Sequence, residues 1–355
     1  MTGHTGFKGS WLTSWLLKLG AEVVGVSKDV PTKPAMFEEL TIAKRIKNIK
    51  ADIRDIDVMR ELFAIEQPDF VFHLAAQAIV SSSYSDPIET ISTNVIGTLN
   101  ILESLRQLTK PCAAVMITSD KCYENVEWVW GYRETDALGG KDVYSGSKGA
   151  AELVIHSYIH SFFQNGHPVR VAVARAGNVI GGGDWAKDRI VVDCMKAWKD
   201  GRKVEIRSPF ATRPWQHVLE PLSGYLSLGQ ALSHRPQLHG EAYNFGPRAE
   251  QNRSVVELIG DLGCLWGFDN TDHAYHITGE VPFYEAGLLK LNCDKALFEL
   301  KWDPNLNYEE TIKFVGDWYN GFYKGRSDMF SLTMDQISAY ELTGIERSRV
   351  WTQAL

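Results

Sequence analysis

The first half of this chain alternates short β-branched runs with segments of helical periodicity. The runs cover residues 21–26, 70–74, 113–118 and 169–174, and the helical segments cover residues 8–19, 56–65, 88–108 and 144–164. Such alternation is typical of βαβ units built around a parallel sheet. It predicts an α/β fold with a Rossmann-type, doubly wound parallel sheet.

After Arg175 the alternation loosens into Gly-rich and Pro-punctuated loops. Helical segments are predicted there at residues 190–199, 222–232, 255–266 and 308–323. We therefore predict four parts, namely a larger domain at residues 1–175, segments 216–222 and 241–247 that return to it, a smaller C-terminal lobe at residues 176–325, and a tail at residues 326–355.

Composition limits the class of protein. The 355 residues are 44% hydrophobic, yet they include no apolar run long enough to cross a membrane and no N-terminal leader pattern. The five cysteines are scattered without metal-ligand spacing, and the net charge of −7 includes no basic block. These features predict a soluble, cytoplasmic protein with reduced cysteines, no metal site, and neither nucleic acid nor membrane as a partner.

A glycine-rich turn opens the chain and leads directly into the first helical segment. Its glycines form a GxxGxxG pattern, in which small residues let a pyrophosphate approach backbone N–H groups at a helix N-terminus. The turn predicts a dinucleotide site that includes Gly3, Thr5, Gly6, Phe7 and Gly9.

An acidic residue follows this turn at a suitable distance. Asp29 comes about 20 residues after the last glycine, where such a residue can bind the adenosine ribose 2′-hydroxyl of NAD. It can equally be read as a turn residue before Pro31, and the neighbouring Lys28 could instead attract the 2′-phosphate of NADP. The pattern favours NAD.

Two later segments supply further candidates for the cofactor site. Asp52 and Ile53 follow a short strand and can meet the adenine edge, although Asp52 is also suited to cap a helix. The small residues after the second strand-like run let the backbone pass close to a cofactor. We therefore include Ala75, Ala76 and Gln77, whereas His73 just before them is interpreted as a core histidine.

The start of the chain is unusual for a dinucleotide fold. A buried hydrophobic strand normally precedes the glycine turn, and here only Met1 and Thr2 do so, so the first strand is apparently missing. A misassigned start, a trimmed sequence or a natural absence could explain this. Natural absence would expose strand edges and cost many kcal/mol of apolar burial, so we favour truncation of the recorded sequence.

Five residues have the spacing of a catalytic group. Tyr144 and Lys148 lie one helical turn apart, and Ser119, Asp120 and Lys121 end a strand-like run. Side chains four positions apart on a helix face the same way, so the Lys148 ammonium can lower the pKa of the Tyr144 phenol. A bare YxxxK pattern is more often an ordinary surface pair, but its neighbours here favour catalysis.

These motifs together resemble the extended short-chain dehydrogenase/reductase superfamily, and within it the nucleotide-sugar 4,6-dehydratases. The resemblance covers residues 2 to about 323 and rests on GHTGFKGSW, ITSDKCYEN, RAGNVIGGGDWAKDR and RPWQHVLEPLSGY, with Asn94 in an NVIGT segment. The lysine at position 121 is typical of the branch that acts on CDP-glucose. Asp120 is typical of dehydratases, since epimerases of the superfamily generally lack an acid there.

The resemblance implies a reaction with NAD as cofactor, in which the sugar is oxidised at C4, loses water across C5 and C6, and is reduced at C6. It implies that Tyr144 takes the 4-hydroxyl proton, that Ser119 binds the same oxygen, and that Asp120 protonates the departing hydroxyl. Lys121 then either removes the C5 proton as a neutral amine or stabilises the enolate as a cation. Asn94 is expected to order the backbone of the site.

The resemblance also implies partners. Asn178, Arg189, Arg213 and His217 are expected to contact the CDP-glucose substrate, with Arg213 gripping the diphosphate in a bidentate fashion. A homodimer or a dimer of dimers is expected, with a product used in 3,6-dideoxyhexose and surface polysaccharide synthesis. The alternatives are another nucleotide-sugar enzyme of this fold, either a 4-epimerase or a dTDP- or GDP-sugar dehydratase, and a non-catalytic nucleotide-binding protein.

Overall fold

The computed structural model describes residues 1–164, 166–248, 251–278, 289–325 and 328–354 of the chain, so parts of the predicted domain, lobe and tail lie outside the described residues. Its α-helices are α1 (Phe7–Lys18), α2 (Met36–Glu39), α3 (Ile56–Glu66), α4 (Val80–Ser85), α5 (Pro87–Ile91), α6 (Gly97–Leu105), α7 (Val143–Phe162), α8 (Ile190–Lys199), α9 (Leu219–His234), α10 (Val255–Trp266), α11 (Tyr308–Tyr323) and α12 (Met329–Glu346). Its β-strands are β1 (Val24–Ser27), β2 (Lys47–Lys50), β3 (Phe70–His73), β4 (Cys112–Ile117), β5 (Val169–Ala176), β6 (Val179–Ile180), β7 (Val204–Ile206), β8 (Thr212–Pro214), β9 (Gln216–His217), β10 (Ala242–Phe245), β11 (Asn252–Ser254) and β12 (Tyr275–Ile277).

The central sheet is parallel and is arranged around Thr2. On one side the strand order is β10, β5, β4, β3, and on the other side β1 pairs with β2. Thr2 forms parallel bridges to Val26 and to His73, so it joins the two groups. His73 is buried and its Nδ1 lies 2.7 Å from Thr2 Oγ1, which confirms a core histidine. In the part of the chain that the structure describes, no strand precedes the glycine turn.

Both faces of the sheet are covered, because its strands alternate between two apolar clusters. In β4, Ala113 and Val115 belong to one cluster, and Ala114 and Met116 belong to the other, as the period of two in a strand requires. Helices α1 and α9 pack on the first face, and α3, α6 and α7 pack on the second. The predicted doubly wound α/β architecture is confirmed.

The second half of the chain contributes to this sheet and to smaller ones. Strand β10 pairs with β5, and α9 packs on β4 and β5. The remaining strands pair as β6 with β9, β8 with β11 and β7 with β12. Helix α12 packs on α1, where Trp15 Nε1 donates a hydrogen bond to Glu341 Oε1 at 2.8 Å. Among the described helices, none is both long and apolar enough to cross a membrane.

Most predicted helices form near the expected bounds. Helices α8, α10 and α11 begin and end at the predicted residues. The single helix predicted at residues 88–108 is instead divided into α5, a π-helical turn over Ser92–Ile96, and α6, which ends at Leu105. Helix α12 is not predicted, since the tail shows no clear periodicity.

Candidate active site

Helix α7 places Tyr144 and Lys148 at its N-terminal end. The helix begins after Asp142, whose carboxylate accepts a hydrogen bond from Ser145 N at 3.0 Å and so caps the first turn. Both Tyr144 and Lys148 are buried, and Lys148 Nζ lies 5.9 Å from the centroid of the Tyr144 ring. The structure therefore brings together the phenol and the ammonium of the predicted pair.

Strand β4 delivers the other predicted catalytic residues to the same place. A short 3₁₀ turn, Asp120–Cys122, follows this strand, and its N-cap is Ser119, whose Oγ accepts a hydrogen bond from Lys121 N at 3.2 Å. Ser119 Oγ also donates to Asp120 Oδ1 at 2.9 Å, and the Ser119 side chain acts to lower the pKa of the Tyr144 phenol. The Asp120 side chain is buried and lies against Gly177, in the loop after β5. The carboxyl ends of neighbouring parallel strands thus assemble the cluster.

The pKa of Tyr144 departs from the prediction made from spacing. It is raised to about 12, mainly by burial and next by the Asp120 carboxylate, while the Ser119 hydrogen bond and the Arg189 charge act to lower it. The spacing predicts that the Lys148 ammonium can lower this pKa, but the net pKa is above its ordinary value and Lys148 is not among the causes that determine it. Burial destabilises the phenolate by more than the surrounding cations stabilise it.

Burial acts on Lys148 as well. It lowers the pKa of the ammonium to about 8, while Cys122 and Glu152 act to raise it. Because this pKa is still above 7, the charged form predominates at neutral pH. None of the described residues forms a hydrogen bond or an ion pair with Lys148 Nζ.

A fully paired ionic network adjoins these residues. Arg175 in β5 donates to both carboxylate oxygens of Glu152, at 2.8 and 2.9 Å, and both side chains are buried. Glu152 lies one turn after Lys148 on α7 and accepts a further hydrogen bond from Thr118 Oγ1. Arg175 also donates to Tyr123 Oη at 2.8 Å. The network therefore fixes the loop after β4 against β5 and α7.

Two of the predicted substrate residues meet the catalytic loop in one small cavity. The cavity has a volume of about 20 Å³ and is lined by Asp120, Lys121, Asn178, Arg213, Pro214 and Leu289. Arg189 precedes α8, where its Nε lies 3.3 Å from Asp184 Oδ2, and its charge acts on Tyr144. Three of the four predicted substrate residues are therefore close to the catalytic cluster.

A larger cavity, of about 430 Å³, has a lining that includes Arg253, Arg347 and Arg349. Arg347 is paired with Glu310, and Arg349 is paired with Asp303. None of the predicted catalytic or substrate residues lines it. We therefore place the candidate site at the smaller cavity.

His217 is not part of this site. Its ring is fully buried, with centroid distances of 5.6 Å to Trp11 and 5.4 Å to Phe314, and its Nδ1 accepts a hydrogen bond from Leu219 N. Burial lowers its pKa to about 3, so the ring is neutral. The prediction that His217 contacts the substrate is wrong, because the ring is enclosed by apolar side chains, whereas Arg213 lines the cavity.

The glycine turn has the shape that a pyrophosphate requires. Gly3 has a φ of +75°, and a Cβ there would lie 2.7 Å from Ala75 N; a Cβ at Gly9 would lie 2.0 Å from Gly3 O. Gly6 is the N-cap of α1, and no side chain of the described residues caps this end, so the N–H groups from Phe7 onward are available to an anion. These residues fit a dinucleotide.

Asn94 fixes the backbone beside this turn. Its Oδ1 accepts a hydrogen bond from Gln77 N at 2.8 Å, and its Nδ2 donates to Gln77 O at 3.0 Å and to Ser147 Oγ at 2.8 Å. Asn94 therefore ties the segment of Ala75 and Ala76 to α7. It is buried, so its influence on a ligand is indirect.

Asp29 is exposed after β1 and is anchored to the glycine turn. Its backbone oxygen accepts a hydrogen bond from Thr5 Oγ1 at 2.7 Å. The neighbouring Lys28 is paired with Glu89 at 2.6 Å, so its charge is already opposed within the protein. With Lys28 already paired, this end of the cofactor site is better suited to the free 2′-hydroxyl of NAD than to the 2′-phosphate of NADP.

Asp52 does not cap a helix. Its carboxylate accepts hydrogen bonds from Arg54, including one from the backbone N at 2.9 Å, and these bonds are the main cause of its lowered pKa. Helix α3 is capped by Asp55, which accepts from Val58 N at 3.2 Å. The helix-cap alternative for Asp52 is therefore wrong. Ile53 beside it is buried.

Lys8 is a cation of the site that the sequence analysis does not identify. Lys8 lies between the second and third glycines of the turn and is half-buried. Its pKa is lowered to about 8, mainly by burial and next by Arg189, with Asp120 acting to raise it and Lys148 to lower it. Its place within the glycine turn is the only signal in the sequence, and a solvated lysine could share that place.

Known proteins resemble this chain along most of its length. The sequence profile of the family described as GDP-mannose 4,6 dehydratase matches residues 1–315. A CDP-glucose 4,6-dehydratase from Salmonella typhimurium is 46% identical over 344 residues, which cover 96% of this chain and 95% of that relative. A CDP-paratose 2-epimerase from Salmonella typhi is 26% identical over 90% of this chain and 98% of its own.

Solved structures share the fold. A dTDP-glucose 4,6-dehydratase from Streptomyces venezuelae, solved with NAD and TYD bound, has a TM-score of 0.76 at 20% identity and covers 90% of this chain and 97% of its own. At that identity the likeness supports the fold alone. The profile match and the identity to the Salmonella typhimurium relative go further. This chain belongs to the GDP-mannose 4,6 dehydratase family.

Proposed function

We propose that this chain is a CDP-glucose 4,6-dehydratase that converts CDP-D-glucose into CDP-4-dehydro-6-deoxy-D-glucose and water. The observation that carries the proposal is the 46% identity to a CDP-glucose 4,6-dehydratase over 96% of the chain, in a protein whose Asp120 and Lys121 share one cavity with Arg213. The reaction is redox-neutral, because C4 is oxidised before C6 is reduced.

Different parts of the chain bind the cofactor and the nucleotide sugar. Residues 1–175, with segments 216–222 and 241–247, hold the cofactor, residues 176–325 hold the nucleotide sugar, and residues 326–355 are a tail. The cofactor contacts are Gly3, Thr5, Gly6, Phe7, Gly9, Asp29, Asp52, Ile53, Ala75, Ala76, Gln77, Tyr144 and Lys148, with Asn94 acting through the backbone. NAD, when bound, supplies the hydride acceptor for C4 and the hydride donor for C6.

Tyr144 removes the proton of the sugar 4-hydroxyl, and Ser119 binds the same sugar oxygen. The influence of the Ser119 side chain on the pKa of Tyr144 supports this placement. Tyr144 can accept that proton only as a phenolate. Because its pKa is about 12, its own proton must first pass to water, and the resulting phenolate must be stabilised. The Lys148 ammonium, 5.9 Å from the ring, is placed to supply that stabilisation.

Asp120 and Lys121 carry the loss of water. A carbonyl at C4 acidifies the C5–H bond, and Lys121 either takes that proton as a neutral amine or stabilises the enolate as a cation while Asp120 or water moves protons. Asp120, in its protonated form, donates to O6 so that water departs rather than hydroxide. The Asp120 side chain lines the cavity together with Lys121.

Arg213, Asn178 and Arg189 bind the nucleotide sugar. Arg213 and Asn178 line the cavity that also contains Asp120. A guanidinium can bind two phosphate oxygens at once, which suits Arg213 to the diphosphate. Arg189 lies close enough for its charge to act on Tyr144.

The protein forms a homodimer or a dimer of dimers in the cytoplasm. The helices from α5 to α7 expose the apolar side chains of Ile88, Ile91, Ile96 and Leu153, which a second copy could cover. Sedimentation of wild type and of an Ile88→Glu, Leu153→Glu variant tests this. We expect the variant to be monomeric, and an unchanged mass would contradict this interface.

The function is tested by incubating the protein with NAD and, separately, with CDP-, dTDP-, UDP- and GDP-glucose. We expect a 4-keto-6-deoxy sugar to form fastest from CDP-glucose. Faster formation from another nucleotide sugar would change the substrate, and a C4 epimer without keto sugar would indicate an epimerase. No product from any of the four would contradict the proposal.

A further inference from the structure

Helix α7 carries two neighbouring histidines on its solvent side. His156 and His160 are four positions apart, so they lie on one face of the helix, and both side chains are exposed. Their ring centroids are 4.3 Å apart, and their Nε2 atoms are 3.1 Å apart. We refer to these two residues as the histidine pair. It brings two potential metal-ligating nitrogens together outside the catalytic cluster.

The distance between the two nitrogens suits a shared metal ion. An ion that binds two imidazole nitrogens at about 2.1 Å holds them about 3.0 Å apart at a right-angled geometry and about 3.4 Å apart at a tetrahedral one. The separation of 3.1 Å falls within this range. It also suits a hydrogen bond, in which one ring donates its Nε2–H to the other. A metal ion would then replace the shared proton between two neutral rings.

The helix holds the histidine pair on a rigid base. Ile155 and Ile159, which are next to the two histidines in sequence, are buried in the apolar cluster on the second face of the sheet. They fix this part of α7 against the strands, so only side-chain torsions need to adjust when an ion binds. The pair lies about two turns after Lys148, and its geometry is therefore independent of the catalytic residues.

The histidine pair supplies only part of a coordination shell. Among the described residues, no group of three or more His, Cys, Asp and Glu side chains is arranged to hold a metal ion. Leu153 lies on the same side of α7, one turn before His156, and belongs to the exposed apolar surface to which we assign the homodimer. The remaining ligands are therefore water or the histidine pair of a second copy, because residues near a two-fold axis meet their own copies.

We propose that His156 and His160 form a bidentate binding site for a divalent transition-metal ion, of which Zn²⁺ is the probe. Neutral imidazole suits Zn²⁺ and its neighbours in the transition series, whereas Mg²⁺ prefers oxygen ligands. Two histidines at positions i and i+4 of a helix are a known arrangement for binding Zn²⁺. The cysteine spacing predicts no metal site, and this site uses histidines instead.

The experiment is calorimetry of the full chain, free of any polyhistidine tag, with ZnCl₂ and separately with MgCl₂. It compares wild type with His156→Gln, His160→Gln and His234→Gln. His234 is an exposed histidine in the last turn of α9, so its variant is matched for the loss of one helical imidazole. Circular dichroism checks the fold of each variant.

We expect either substitution in the histidine pair to weaken Zn²⁺ binding by about 10²-fold or more, because the second ring no longer binds intramolecularly. His234→Gln should keep the wild-type Kd. Zn²⁺ should also raise the urea midpoint of wild type, but not that of the two pair variants, since the pair is preformed only in the folded helix. One ion per chain assigns the remaining ligands to water, and one ion per two chains assigns them to a second copy.

Three results would overturn the proposal, namely no Zn²⁺ binding by wild type, equal Kd values in all four proteins, and Mg²⁺ binding as tight as Zn²⁺ binding. The outcome is separable from the proposed function, because the titration contains neither NAD nor a nucleotide sugar. Failure to dehydrate CDP-glucose would leave the metal site standing, and loss of the metal site would leave the dehydratase standing.

Discussion

Two neighbouring groups of charges in this protein are arranged in opposite ways. In the ionic network, Arg175 and Glu152 are buried and joined by two short hydrogen bonds. In the catalytic cluster, Lys148 is buried and the nearby Lys8 is half-buried, yet no described carboxylate pairs with either. Paired charges hold the loops in place, whereas unpaired cations remain available to phosphates and developing oxyanions. The difference separates residues that build the site from residues that use it.

The largest expected effect concerns the acid of the catalytic cluster. Asp120→Asn keeps the shape of the side chain but cannot protonate O6, so formation of keto sugar should fall by about 10²- to 10⁴-fold. The rate of keto-sugar formation from CDP-glucose measures this. Asp55→Asn, at the cap of α3, is the matched control and should remain active. An unchanged rate for Asp120→Asn would remove Asp120 from the mechanism.

Substitutions in the ionic network should change the stability of the folded protein. Arg175→Met leaves the Glu152 carboxylate buried without its cation, and we expect the free energy of unfolding to fall by about 3–5 kcal/mol. Replacing both residues, as Glu152→Leu with Arg175→Met, should restore much of that loss, because no unpaired charge remains buried. Urea unfolding of the three proteins measures it. Simply additive losses in the double variant would contradict the view that pairing holds this network together.

Glu220 is a third kind of buried charge, held by hydrogen bonds rather than by an adjacent cation. It accepts hydrogen bonds from Leu306 N, Asn305 N and Tyr340 Oη, and its pKa is raised to about 7, mainly by burial. The folded state therefore binds its proton more tightly than the unfolded state does. Its contribution to stability is present below about pH 4.5 and is lost as the pH rises through about 7.

We therefore expect the free energy of unfolding of wild type to decrease between pH 5 and pH 8, with Glu220 contributing up to about 3 kcal/mol of that change. Glu220→Gln, which cannot ionise, should show a smaller decrease. Urea unfolding of both proteins at the two pH values measures the difference. Equal pH dependence in the two proteins would show that Glu220 does not titrate as described.

The smallest effect contrasts two residues of one segment. Arg213→Ala should weaken CDP binding by about 10- to 100-fold, because a charged hydrogen bond to phosphate is lost. His217→Gln should leave the Kd of CDP unchanged and instead lower the urea midpoint, since the ring packs between Trp11 and Phe314. Calorimetry and urea unfolding separate the two. If His217→Gln weakened CDP binding and Arg213→Ala did not, His217 would be a substrate-binding residue after all.

Much of the site follows from local spacing. Tyr144 and Lys148 meet because they are one turn apart on α7, and Ser119 to Lys121 join them because β4 ends at the same edge of the sheet. The glycine turn is equally local. A side chain at Gly3 would clash with the backbone at Ala75, and a side chain at Gly9 would clash with the backbone of the turn itself.

Other features depend on contacts between distant segments, and sequence spacing cannot supply them. His217 is buried because Trp11 and Phe314 enclose it, and both are far from it in the chain. The pKa of Tyr144 is raised because tertiary packing removes water from the phenol and places the Asp120 carboxylate near it. The influence of Arg189 and Asp120 on the pKa of Lys8 likewise comes from segments that are distant in the chain.

The central claim is that C4 is oxidised so that C5 becomes acidic and water can leave from C6. It is tested most directly with CDP-glucose carrying deuterium at C4, followed by analysis of the product. The account predicts deuterium in the methyl group at C6 of the keto sugar. A keto sugar whose methyl group contains none of the deuterium would contradict it.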